Sequence, residues 1–150
     1  MNGSKQVKET IESLLKFQKL AVLSTYGSEQ PYASLVAFAA GRDLKDLFFA
    51  TARTTRKYSN LTANPGVAML IDSRSNQMSD FLEAVAVTAV GKAAEVAENE
   101  KEDCLEIYLS KHGHLEEFAR SPTCALVRVR VKSYYLVSRF QEVTELHLET

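Results

Sequence analysis

Residues Phe48-Phe49-Ala50-Thr51-Ala52-Arg53-Thr54-Thr55-Arg56-Lys57-Tyr58-Ser59-Asn60-Leu61 run from an apolar strand straight into hydroxyls and cations at the mouth of a short helix. That is the chemistry of a phosphate site. Thr54 or Thr55 can cap the helix, which leaves its first-turn amides, the positive end of its dipole and the side chains of Arg56 and Lys57 to converge on one dianion. A capped helix with two solvated basic residues accounts for the same stretch, so on these residues alone the two readings stand level.

The elements around that stretch are readable from periodicity and turn chemistry. Asn64-Pro65-Gly66 marks a turn, and residues 67–72 read as a buried strand. Upstream, a strand over 20–25 passes through Tyr26-Gly27-Ser28-Glu29 into another over 31–39. Val7, Ile11, Leu14 and Leu15 form the stripe of a helix with Ser4 as its cap, and Leu105, Tyr108 and Leu109 form a second stripe behind an acidic first turn. Residues 123–137 alternate Ala125, Val127, Val129 and Val131 against Arg128, Arg130 and Lys132, as one wall of an antiparallel barrel does. Residues 84–96 make another such strand, with Gly91 at a bulge or bend that lets the sheet curl. Six strands with few crossover helices predict a mainly β (α+β) fold, a closed six-stranded antiparallel barrel with peripheral helices.

The 150 residues fit one domain over 1–150. A net charge of −1 without a dense basic block argues against nucleic acid, and no apolar run is long enough to span a bilayer. The first residues lack the apolar core of a signal peptide, so a cytoplasmic location is expected. Cys104 and Cys124 sit in apolar stretches and read as core residues rather than a disulfide. With His112 and His114 they could be assembled on paper into a zinc site, but the close paired ligands of such a site are missing, and no metal is expected. His112-Gly113-His114 reads better as a helix end with Gly113 as a left-handed cap. Ser24, Asp72 and the histidines show no nucleophile-elbow context, and no residue stands out as a catalytic acid or base.

The order of these pieces resembles the split-barrel flavoproteins related to pyridoxamine 5'-phosphate oxidase, in particular their general-stress-protein-like branch. The matching segments are the first hairpin, FATARTTRKYSNL, NPGVAMLID, AVAVTAVGKAAEV and YYLVSRFQEVTEL, which together span residues 18–146. The resemblance implies a split barrel and a homodimer with flavin mononucleotide (FMN) in a groove between protomers. By position, Arg56 and Lys57 would hold the phosphate with hydroxyls of Thr51, Thr54 and Thr55, while Ala33, Ser34, Leu35 and Val36 would supply contacts along the ring edge. Arg53 joins the phosphate set by the same carry-over, although an arginine just past a strand end is as often simply solvated. Ser34 has an equally plain structural reading, a small hydroxyl bonded to a neighbouring carbonyl. Phe140 and Gln141 would reach the partner's flavin or anchor the dimer interface.

The resemblance also has a gap. True pyridoxamine phosphate oxidases end in a tryptophan followed by an arginine-leucine-proline type segment that holds the vitamer, whereas this sequence has no tryptophan. The resemblance therefore implies an FMN-dependent oxidoreductase acting on another small electron donor or acceptor. Two alternatives accompany it: a non-enzymatic flavin-binding stress-response module, and a relative that carries deazaflavin or haem.

Overall fold

In a computed structural model that describes residues 2–148, with side chains from residue 3, six antiparallel strands close into a barrel. They are β1 (Leu20–Tyr26), β2 (Pro31–Ala40), β3 (Asp46–Ala52), β4 (Gly66–Asp72), β5 (Ala86–Glu95) and β6 (Cys124–Ser138). Their order is β3-β2-β1-β4-β5-β6, with β6 returning to β3. The barrel expected from the alternation is the one the chain forms. A seventh strand, β7 (Glu142–His147), escaped the sequence reading; it pairs with the second half of β6, whose first half pairs with β3. The single-domain expectation also covered Met1, Glu149 and Thr150, which lie outside the described residues.

Alternation decides which face each strand buries, and β6 shows the rule and its local reversal. Val127, Val129 and Val131 point inward, and further along Tyr134 and Leu136 do so instead. The change of phase is a bulge: Gly91 pairs with Val131 but Val90 pairs with Ser133, so Lys132 is the extra residue. Gly91 was expected at such an irregularity, and the reason is steric. A Cβ at position 91 would lie 2.8 Å from the Arg130 carbonyl carbon.

Leu23, Phe38, Phe49, Met69, Ile71 and Val127 fill the barrel, each contributing about 1.5–3 kcal/mol by burial. Helix α1 (Asn2–Phe17) adds Ile11, Leu14 and Leu15 to that core. Ser4 lies inside α1 and is not its cap, because the helix starts at Asn2. Four more helices follow: α2 (Arg56–Ala63), α3 (Asp80–Glu83), α4 (Lys101–Lys111) and α5 (Glu116–Ala119). α4 covers the other face of β3 and β6, where Cys104, Leu105 and Tyr108 pack with Phe48 and Leu126. Cys104 and Cys124 are both buried and free. At the end of α4, Lys111 Nζ donates to the carbonyls of Leu15 and Gln18 at 2.8 and 2.6 Å, supplying donors to the C-terminal end of α1. Gly113 opens a short 3-10 turn and no glycine has positive φ, which corrects the left-handed cap expected there. His112 itself ends α4, its amide donating to the Tyr108 carbonyl at 3.0 Å, while its buried ring places Nε2 2.7 Å from the Phe38 carbonyl. Among the described residues, no helix is long and apolar enough to cross a membrane.

A candidate cofactor cleft between β2 and α2

Thr55 is the cap that sequence left open between Thr54 and Thr55. Its Oγ1 accepts the Tyr58 amide at 3.3 Å and donates to the Ala52 carbonyl at 3.0 Å. Thr51, buried at the end of β3, places its hydroxyl 2.8 Å from Thr55 Oγ1 and so fixes the cap from below. The first-turn amides of Arg56 and Lys57 have no intrahelical acceptor, as at every helix start. Thr54 is exposed, and neither Arg56 nor Lys57 forms an ion pair among the described residues. The mouth of α2 is therefore cationic and unneutralised.

Arg53 is placed differently. Its Nε and Nη2 donate to Glu95 at 3.2 and 2.5 Å, and its Nη1 donates to the Pro122 carbonyl at 2.8 Å. Tyr58 Oη donates to the same Glu95 carboxylate at 2.7 Å. Arg53 and then Tyr58 hold the Glu95 carboxyl below the usual carboxylate range, and the bond to Glu95 pushes the Tyr58 phenol up. This trio ties the loop before α2 and α2 itself to the end of β5. Asn60 Nδ2 donates to Thr25 Oγ1 at 3.1 Å and ties the same helix to β1.

β2, whose Tyr32 ring lies beneath Arg56, is incomplete on one edge. β2 pairs with β1 along its whole length up to Ala37, but with β3 only through Phe38, Ala39 and Ala40. Phe38 donates its amide to Lys19 on the β1 side, and Gly41 donates to Asp46 on the β3 side. Alternation then turns the amides and carbonyls of Ala33, Leu35 and Ala37 away from β1. The Ala37 carbonyl accepts Tyr108 Oη at 3.1 Å, whereas Ala33 and Leu35 lie where β3 no longer pairs. Between them, Ser34 Oγ is buried and has no hydrogen-bond partner among the described residues. The neighbouring-carbonyl bond that would make this serine purely structural is absent. Val36 is in the core, and the same alternation turns its amide and carbonyl toward Ala21 of β1, so the open edge does not include it. Arg56 lies over the Tyr32 ring at 5.5 Å, bringing the mouth of α2 to the start of the open edge.

Two constellations escaped the sequence reading. Phe81 and Phe140, ring centroids 5.3 Å apart, line a 670 Å³ cavity with Asp72, Val85, Ala86 and Val137. Arg139 and Phe140 hold positive φ of 47° and 72° in the turn before β7, a conformation that alternation patterns do not reveal. Ser133 Oγ lies 2.7 Å from His147 Nδ1, and His147 Nε2 lies 2.8 Å from Glu145 Oε1. The chain of atoms resembles a hydrolytic triad, but Ser133 is buried and the group serves to fasten β7 to β6.

A family model described as pyridoxamine 5'-phosphate oxidase matches residues 7–138. A pyridoxamine 5'-phosphate oxidase homolog from Schizosaccharomyces pombe is 22% identical over 165 residues, covering 89% of this chain and 86% of that protein. The crystal structure of General Stress Protein 26 from Bacillus anthracis superposes with a TM-score of 0.73 at 19% identity, covering 95% of this chain and 98% of that one. A heme binding protein from Mycobacterium smegmatis superposes with a TM-score of 0.80 at 15% identity, over 89% of this chain and 55% of that one. At such identities the structural matches speak to the fold.

Proposed function

Because the chain belongs to the pyridoxamine 5'-phosphate oxidase family, we propose that it binds FMN in the cleft between the open edge of β2 and the mouth of α2, and that it acts as an oxidoreductase. The observation that carries this reading is the coincidence of three unmet bonding capacities: the free edge at Ala33 and Leu35, the orphaned Ser34 hydroxyl, and the unneutralised Arg56 and Lys57. A cofactor that is flat and polar-edged at one end and dianionic at the other answers all three.

In this reading Arg56, Lys57 and the free amides of α2 bind the phosphate, with the Thr54 hydroxyl beside them. Thr51 and Thr55 position the helix, and the Arg53–Glu95–Tyr58 trio keeps it against the barrel. The main chain of Ala33 and Leu35 and the Ser34 hydroxyl orient the ring along β2. Bound there, a flavin supplies the hydride or electron chemistry, while the protein supplies binding and orientation. The substrate is proposed to be a small electron donor or acceptor.

The barrel interior is filled by side chains, so the cofactor must lie outside it, and a second copy of the chain is proposed to cover it. For the haem-bearing alternative an axial imidazole would have to come from the exposed His114, since His112 is bound to Phe38 and His147 to Ser133. The absorption spectrum of the purified protein separates flavin from haem and deazaflavin. Stopped-flow absorbance at the flavin band then separates enzyme from binding module. Bleaching by a reduced nicotinamide, with none by pyridoxamine phosphate, supports the oxidoreductase; no bleaching by any donor favours the non-enzymatic module.

A further inference from the structure

Lys92, Arg130 and Lys132 take no part in the flavin reading, yet they line one cavity of 820 Å³ whose walls include Tyr26, Ala68 and Val90. None of the residues assigned to the flavin lines it. Lys92 and Arg130 are direct partners across β5 and β6, and like charges in that position oppose strand pairing. Only Arg130 has a carboxylate, Asp46 at 3.3 Å, which Arg128 shares at 3.8 Å. Lys92 and Lys132 have no ion-pair partner among the described residues.

The bulge brings these charges together. Gly91 pairs with Val131 and Val90 with Ser133, so Lys132 is left without a partner on β5 and lines the same cavity as Arg130, two residues earlier. Glycine at 91 allows the close approach, since a Cβ would meet the Arg130 carbonyl. A strand pair that places cations opposite one another beside an apolar hollow of ligand size is better satisfied with an anion present.

The geometry points to a binding site for an amphipathic organic anion, its flat apolar body over Ala68 and Val90 and its phosphate, sulfonate or carboxylate held by Lys92, Arg130 and Lys132. The cavity adjoins the flavin-assigned edge, since Ser24 on its wall pairs with Ala33, but shares no residue with it, and the site stands whether or not a flavin binds at β2.

Fluorescence titration of the full chain with anilinonaphthalene sulfonate, and with the uncharged phenylnaphthylamine, tests it. One saturable sulfonate site per chain is expected, unaffected by saturating FMN. Lys92→Glu and Lys132→Glu should each weaken the sulfonate by about tenfold or more and leave phenylnaphthylamine unchanged. Ala68→Trp, which occupies the apolar wall and keeps the charges, should remove both probes. The assignment is overturned if neither charge reversal changes sulfonate affinity, if both probes lose affinity equally in those variants, if FMN displaces the sulfonate, or if Ala68→Trp leaves both bound.

Discussion

Arg56 and Lys57 are the residues on which a phosphate would depend, because neither has an ion-pair partner among the described residues. Removing one charge-assisted contact to a dianion costs about 1.5–3 kcal/mol, so Arg56→Ala or Lys57→Ala should weaken FMN roughly tenfold to a hundredfold in a calorimetric titration. Riboflavin, without the phosphate, should bind these variants as it binds the wild type; unchanged FMN affinity in both would put the phosphate elsewhere. Ser34→Ala makes a sharper division between stability and binding. Deleting a buried hydroxyl that has no partner should leave the melting temperature of the flavin-free protein unchanged or raised, while FMN affinity falls about three- to tenfold. A lower melting temperature without flavin would show that the oxygen is satisfied by the protein. Sequence showed these residues unequally. A threonine cap at Thr54 or Thr55 was legible because hydroxyl, spacing and helix start are local, and the choice of Thr55 was left to the structure. The orphan status of Ser34 was not, since it depends on β3 leaving β2 at Phe38, and the engagement of Arg53 depends on Glu95, 42 residues away.

At the scale of elements, α2 is useful only if it stays where β1 and β5 hold it. Arg53 and Tyr58 keep Glu95 ionised below the ordinary carboxylate range. A group whose folded pKa is depressed stabilises fully above its unfolded value, and that contribution is lost as pH falls through the folded value. Between roughly pH 7 and pH 3, the urea midpoint of the wild type should therefore fall more steeply than that of Glu95→Gln. Parallel curves would show that the trio contributes nothing to the fold. Gly91→Ala should cost about 2–4 kcal/mol of unfolding free energy, because its Cβ meets main chain that cannot step aside. A loss within experimental error would mean that the bulge relaxes. Strands were legible from alternation and turn residues, and the irregularity at Gly91 from glycine in a strand. That the extra residue is Lys132 belongs to pairing, and so do the buried His112 and the separate strand β7, which local pattern does not encode.

For the whole molecule, we propose that a second copy covers the outer sheet face. Leu35 and Leu70 flank Val22 in register, and Leu35, Leu20 and Phe17 are 62%, 51% and 68% exposed. A contiguous apolar face of this kind marks an association surface. Light scattering should show a dimer for the wild type and a monomer for Leu20→Glu; a wild-type monomer carrying stoichiometric flavin would end the interface proposal. The closed barrel was legible because six alternating strands have few other ways to bury their faces. What covers its outside was not, since alternation within one chain says nothing of a partner. The central claim, that the cleft at β2 and α2 is built for a phosphorylated flavin, is tested most directly by titrating the flavin-free protein with FMN and with riboflavin under identical conditions. The account predicts one FMN per chain, bound at least about a hundredfold more tightly than riboflavin. Equal affinity for the two, or no FMN binding by a folded protein, would contradict it.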